Sequence, residues 1–374
     1  MEFKTPDRII MGDDIVAQLP KDFFRDYGTH ALVVTGPRVG KTTMMRTLIE
    51  TLTRDEIRIT VYDGVSSEPT VAMVEAGVRI YKEAGCDFVV GLGGGSPLDS
   101  AKAIAAMSVN DGIIAQYVGR EIKGNLPPVI CIPTTAGTGS EATKYTIITD
   151  DSTGVKMLLK GEALLPRVAI VDYTFGQAAP PEVVASSGLD AMTHAIEAYL
   201  SVKAQPLTDV LALNAMRKIL RFLPEAYKNP GNKRARKELA VAALEAGICI
   251  NNSSVTVIHG MSRPLGAQFH ISHGMSNAIL LMTCLRDLYA DAEEKFEKIA
   301  RHFKLLDGMS FLDQLEELVN VCDVPRLRDC GVEKAKFLEL LPKMAADAIA
   351  SGSPGNAPKE YTDEDIIRLY TRIY

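Results

Sequence analysis

The sequence predicts an α/β domain with a largely parallel sheet, followed by an all-α domain. Two observations carry this expectation. Short β-branched runs alternate with helical patterning through the first half, whereas beyond about Phe175 the apolar residues recur with a period near 3.6. The 374 residues suit two domains of roughly 100–200 residues each, placed at residues 1–176 and 177–374. A hydrophobic content of 47% and a charged content of 24% belong to a chain that folds around a core, which excludes disordered and fibrous classes.

The strands are expected in order at Ala31–Thr35, Arg58–Tyr62, Asp87–Val90, Val129–Ile132 and Val168–Val171. Each run is apolar on both faces, as a parallel sheet covered by helices requires. Pro180-Pro181 marks the break. Helices are expected over Leu211–Leu223, Ala240–Cys249, Lys295–Phe303 and Phe311–Val321, with a loop at Ser351–Pro358.

Several function classes are excluded at this level. A net charge of -6 argues against tracking nucleic-acid phosphates. No stretch reaches the ~18 apolar residues of a membrane span, and the opening Met1–Arg8 lacks the apolar region of a secretory signal. Six cysteines, Cys86, Cys131, Cys249, Cys284, Cys322 and Cys330, stand far apart without a C-x-x-C pair. They read as reduced thiols, and the expected location is cytoplasmic.

The sharpest local signal is Asp87-Phe-Val-Val-Gly-Leu-Gly-Gly-Gly-Ser-Pro-Leu-Asp-Ser-Ala-Lys102, a strand, a glycine turn and a helix start. Ser96 is expected as N-cap, Pro97 in the first helical position, and Asp99 as the acid of an S-x-x-D cap. The glycines let backbone N–H groups approach an anion at the positive end of the helix, which suits a pyrophosphate. The plainer alternative is a tight turn that binds nothing. Gly36-Pro-Arg-Val-Gly-Lys-Thr42 imitates a nucleotide-triphosphate loop, but three residues separate its glycines where four are needed. It still follows a strand, where α/β folds bind ligands. Pro133-Thr-Thr-Ala-Gly-Thr-Gly-Ser-Glu-Ala-Thr143 is rich in hydroxyls that would suit a polar ligand.

The histidines point to a metal. Asp190 and His194 form an i,i+4 pair on one helical face. His259 and His273, fourteen residues apart, would be about 21 Å apart in one straight helix. The sequence therefore predicts an interruption, assigned to Pro264 and Gly266. Together the four residues make an N3O set suited to Fe(II), Zn(II) or another first-row divalent ion.

With these motifs in place, the chain resembles the group III, iron-containing alcohol dehydrogenases, which share an architecture with dehydroquinate synthase. The resemblance rests on Phe3–Gly12, Gly93–Lys102, Pro133–Glu141, Gly188–His194, His259–Gly266 and Ser272–Gly274. It implies an N-terminal dinucleotide-binding domain, a C-terminal helical domain and a metal between them. It implies Asp190, His194, His259 and His273 as metal ligands, with Gly94, Gly95, Ser96 and Asp99 at the pyrophosphate loop. Thr134, Thr135, Thr138, Ser140 and Lys156 match residues that contact NADH or NADPH. A small aldehyde or alcohol is the implied substrate, and a homodimer the implied assembly.

Departures from the family pattern matter as much. Relatives often carry Asp where Gly36 stands. A carboxylate there would repel a 2′-phosphate by about 4 kcal/mol per close charge pair at an effective dielectric near 20. Its absence, with Arg38 and Lys41 nearby, favours NADPH. Arg263 replaces a frequent histidine. It cannot act as a base, but it can hold a carboxylate, sulfonate or phosphonate, with His270 as proton relay and Lys144 and Tyr145 as further pocket residues. Asn356-Ala-Pro-Lys359 stands in place of an Asn-Pro-Arg stretch. The competing readings are a zinc-dependent polyol dehydrogenase or an NAD-using cyclising lyase of the same architecture, and a non-catalytic nucleotide-binding protein.

Overall fold

The computed structural model describes residues 1–374, residue 178 by its backbone alone. The chain divides into an α/β unit, Thr5–Thr135 with Gly139–Ala179, and a helical unit, Pro180–Tyr374 with Met1–Lys4 and Ala136–Thr138. The short segment at 136–138 thus leaves the α/β unit for three residues.

Six strands build the α/β unit's main sheet: β1 (Arg8–Gly12), β2 (His30–Thr35), β3 (Arg58–Tyr62), β4 (Phe88–Gly93), β5 (Val129–Pro133) and β8 (Val168–Asp172). Their order is β1-β8-β5-β4-β2-β3, and every pairing is parallel. β2, β4, β5 and β8 are buried along their whole length, which is why they read as continuous apolar runs. Side chains alternate between two cores. Leu32, Val34, Val89 and Cys131 pack towards α2 (Val71–Ala84) and α3 (Gly95–Val109), whereas Val33, Phe88, Val90 and Ile130 pack with Leu48 and Leu52 of α1 (Thr43–Arg54).

Two features were not anticipated. β1 is a half-exposed edge strand, and its partner β8 lies some 160 residues downstream in sequence. β6 (Tyr145–Thr149) and β7 (Lys156–Lys160) form a separate antiparallel hairpin whose faces alternate between buried and partly buried.

The helical unit contains α4 (Pro181–Leu200), α5 (Pro206–Lys228), α6 (Lys233–Ser253), α7 (Val257–Phe269), α8 (His273–Leu288), α9 (Glu293–Phe303), α10 (Gly308–Val321), α11 (Lys334–Ala350) and α12 (Asp363–Ile373). α4 starts with Pro181, whose fixed φ suits the first turn. Its last carbonyls, at Tyr199, Leu200 and Ser201, accept from Lys295 Nζ at 3.0, 3.1 and 2.8 Å, so a lysine of α9 closes the helix. α6 and α7 meet at a bend of 107°. No single helix among the described residues is long and apolar enough to cross a membrane.

The interruption between His259 and His273 is real but lies elsewhere than the sequence indicated. α7 continues through Pro264 and Gly266 to Phe269. The turn is made by His270, left-handed at φ 56°, and α8 begins at His273 itself. Proline breaks a helix by losing a donor and clashing with the preceding turn; here residues on both sides of it remain helical.

Candidate functional site

α4 carries Asp190 and His194 one turn apart, α7 carries His259 in its first turn, and α8 opens with His273. All four converge, their ligand atoms lying within 4.8 Å of one another. Asp190 Oδ1 is 3.8 Å from His194 Nε2 and 3.7 Å from Nε2 of both His259 and His273. A tetrahedral ion with bonds of about 2.0–2.2 Å has ligand–ligand edges of about 3.3–3.6 Å, so the donors are near metal-binding geometry. Close packing brings them together. A Cβ on Gly274 would lie 2.4 Å from the Ser186 carbonyl, and one on Gly137 would lie 2.8 Å from that of Ser187. Both glycines let backbone approach α4.

The electrostatics suit a cation. Burial would raise the Asp190 carboxyl, but the surrounding imidazoles outweigh it and hold the group well below the ordinary carboxylate range. Burial drives His194 down to about 4 against the pull of Asp190, which leaves the neutral ring a ligand needs. Asn277, fully buried on α8, donates from Nδ2 to Asp190 Oδ1 at 2.7 Å.

Neither Asn277 nor a second residue of this centre, Glu197, was anticipated. Glu197, one turn beyond His194, lies 2.5 Å from His259 Nδ1. An acid inside the apolar run Ala195–Leu200 was its only sequence signal, because its partner is 62 residues away.

In the α/β unit the glycine turn joins β4 to α3. Gly93 has φ 154°, and a Cβ there would lie 2.6 Å from Pro97 Cγ, so this position requires glycine. The helix begins two residues earlier than the capping pattern indicated. Gly94 is the N-cap and Ser96 lies inside the first turn. Asp99 therefore does not cap. Its carboxylate accepts from Ser140 Oγ at 2.5 Å and Ile147 N at 2.8 Å, and pairs with buried Lys102 at 3.1 Å. Lys102 also donates to the carbonyls of Ser140 and Tyr145 and to Thr143 Oγ1. This network ties the hydroxyl-rich segment to α3. Thr134 N donates to Gly93 O at 2.8 Å, and a Cβ on Gly94 would meet Thr135 Oγ1 at 3.4 Å, so Thr134, Thr135 and Ser140 gather around the loop. The loop thus places the N-terminus of α3 at the end of β4, where backbone N–H groups can receive an anion.

Two sequence-family matches cover the chain: the iron-containing alcohol dehydrogenase model at residues 6–173, and the C-terminal model of the Fe-containing alcohol dehydrogenase family at residues 184–374. The chain belongs to the iron-containing alcohol dehydrogenase family. It is 38% identical over 370 residues to long-chain-alcohol dehydrogenase 1 of Geobacillus thermodenitrificans, covering 96% of this chain and 92% of that one. A solved 1,3-propanediol oxidoreductase superposes with a TM-score of 0.94 at 30% identity, covering 100% and 99% of the two chains. A sulfoacetaldehyde reductase from Bifidobacterium kashiwanohense, solved in complex with NAD+, superposes at 0.89 with 28% identity, covering 100% and 98%.

The remaining residues singled out in the sequence are also placed. Arg38 and Lys41 are exposed on the turn after β2, and no carboxylate among the described residues pairs with either. A Cβ on Gly36 would lie 2.9 Å from the Val65 carbonyl. Lys156 pairs with Glu68 at 2.6 Å. Thr138 lies in the segment that joins the helical unit. Arg263, buried on α7 one turn beyond His259, donates from Nη1 to Ser353 Oγ at 2.9 Å. His270 is exposed and stands outside the four-donor cluster. Lys144 and Tyr145 are partly buried at the start of the hairpin.

Proposed function

We propose that this chain is a divalent-metal-dependent, NAD(P)H-linked dehydrogenase that interconverts a small aldehyde and its primary alcohol, with a substrate that carries an anionic group. The convergence of Asp190, His194, His259 and His273 in a chain of this family is the observation that carries the reading. A divalent ion in such a set supplies Lewis acidity towards a carbonyl oxygen, and a nicotinamide supplies or takes the hydride.

The chain's own residues do the rest. The four donors hold the ion, with Fe(II) the expected metal and Zn(II) the alternative. Gly94, Gly95 and Ser96 offer backbone N–H groups to the pyrophosphate, and Thr134, Thr135, Thr138, Ser140 and Lys156 line the cofactor. Asp99 stands at the helix start of the same loop and holds Ser140 in place. Arg38 and Lys41 recognise a 2′-phosphate, which favours NADPH. Asp63, whose Cβ is 3.7 Å from where a Gly40 Cβ would stand, is the acid that opposes this preference.

Arg263 is the residue for an anionic substrate group. It is buried beside the first turn of α7, and a guanidinium binds carboxylate or sulfonate through paired N–H groups. The sulfoacetaldehyde reductase among the structural relatives supports that class. His270, exposed three residues before His273, is the candidate for exchanging a proton with solvent.

The test follows the oxidation of NADPH and NADH by Fe(II)- or Zn(II)-loaded protein offered propionaldehyde, succinic semialdehyde and sulfoacetaldehyde. Faster turnover of the acidic aldehydes, with KM raised by Arg263→Ala, supports the reading. Preference for propionaldehyde with KM unmoved in the variant refutes anion recognition. Substrate-dependent chemistry without net cofactor consumption refutes the dehydrogenase.

A further inference from the structure

We propose that Glu197 is a positioning residue that fixes the tautomer of His259 and thereby sets the affinity of the centre for its metal. This rests on reading the four donors as a divalent-metal site.

Glu197 is completely buried, yet both carboxylate oxygens are occupied. Oε1 accepts from Thr256 Oγ1 at 2.6 Å and from the Ile258 backbone N–H at 2.7 Å, and Oε2 meets His259 Nδ1 at 2.5 Å. An ionised carboxylate only accepts. His259 must therefore carry a proton on Nδ1, which turns the Nε2 lone pair towards the side of Asp190 Oδ1, 3.7 Å away, where Asn277 Nδ2 also approaches it at 3.1 Å. Among the described residues no side chain meets His194 Nδ1, so the carboxylate device is not shared by that ring. Hydrogen bonds of this kind orient metal-ligating histidines and raise their basicity.

The geometry makes two substitutions behave in opposite ways. In Glu197→Gln the donors Thr256 and Ile258 still demand an acceptor, so the amide carbonyl must face them. The amide NH2 then faces His259 Nδ1, which has to accept, and the ring proton moves to Nε2, the atom needed by the metal. Glu197→Ala removes the tautomer preference without inverting it, but leaves a cavity. A residue that only filled space would be worse replaced by Ala than by Gln in every measurement.

The experiment titrates full-length metal-free protein with Zn(II) and Co(II) against a competing chelator, alongside thermal midpoints and 15N NMR of the imidazoles. Glu197→Gln should bind about 10–100-fold more weakly than wild type, no better than Glu197→Ala, while melting above it. The His259 signals should show Nδ1–H in wild type and Nε2–H in the Gln variant. Wild-type affinity in the Gln variant within twofold, or Nδ1–H retained there, overturns the proposal. If the Gln variant does not fold, Thr256→Val serves instead. It removes one donor from Oε1 and leaves the tautomer set, so its affinity should fall less than threefold; a tenfold loss, or wild type with Nε2–H, overturns the assignment. Wild type that binds neither ion defeats the metal reading, and the 15N pattern still decides the tautomer.

Discussion

Gly274→Ala tests how closely the metal centre depends on helix packing. The added Cβ would stand 2.4 Å from the Ser186 carbonyl oxygen, 2.9 Å from its carbon and 3.3 Å from Asp190 Cβ. The first two are backbone atoms of α4 and cannot swing aside. Restoring an ordinary contact of about 3.4 Å requires α8 to retreat by about 1 Å. His273, the adjacent residue, moves with it, so its 3.7 Å spacing from Asp190 Oδ1 opens to roughly 4.7 Å, wider than the edge a first-row ion spans. Overpacking of this kind costs about 1–3 kcal/mol. Borne by the metal-bound state, that is roughly 5- to 150-fold in Kd. The assay is Zn(II) or Co(II) competition with a chelator, with the thermal midpoint of metal-free protein in parallel. Wild-type affinity together with an unchanged midpoint would show that α8 can yield at no cost, and the packing argument would fail.

Three further outcomes are expected. Lys102→Met removes the cation that pairs with Asp99 and the donor for three buried acceptors, so the α/β unit should lose about 3–5 kcal/mol and weaken NAD(P)H binding in fluorescence titration. Burial lifts the Glu141 carboxyl from 4.5 to about 7, Lys102 acting against it; because the folded pKa is the higher, the stability of the neutral form is complete below 4.5 and lost as pH rises through 7, a swing of roughly 3 kcal/mol. Glu141→Gln should therefore flatten the decline of the thermal midpoint between about pH 5 and 8, and an unchanged slope would count against it. Lys295→Met strips the last α4 carbonyls of their donor and should lower stability by about 1–3 kcal/mol, read from denaturant midpoints.

What could be read from sequence divides by the range of the interaction. β2, β4, β5 and β8 were legible because burial on both faces leaves an unbroken apolar run, and Asp190 with His194 because helical spacing alone puts them on one face. The start of α3 was misread because Ser96 and Asp99 have a capping spacing, yet Asp99 is claimed by Ser140, Ile147 and Lys102, the first two more than forty residues away in sequence. Local pattern cannot show that competition. The turn after α7 was assigned to the strongest local breaker, Pro264, whereas the chain turns at a left-handed histidine, a conformation uncommon outside glycine that histidine adopts more readily than most residues. Glu197 was hidden for the same reason as Asp99. Its meaning lies in Thr256, Ile258 and His259, which only the fold brings to it.

The charge arrangement explains why that hidden acid belongs to the centre. His259 is the third residue of α7 and His273 the first of α8, and side chains in a helix lean towards its N-terminus. Two helix starts therefore face the donor cluster, each equivalent to about half a positive charge, and both oppose a divalent cation. Asp190 and Glu197 supply two carboxylates against the two charges of the ion. Glu197 acts on both problems together, since it accepts one of the orphan N–H groups of α7 while holding His259 in its ligating tautomer. The two acids would balance a divalent ion held by the four donors, and the helix starts add positive potential on the same side. Under the proposed function, that polarity would suit a carbonyl oxygen that gains negative charge on reduction. A glutamine at 197 keeps the shape but gives up half of the compensating charge, so affinity for the cation should follow the charge at this position rather than the volume.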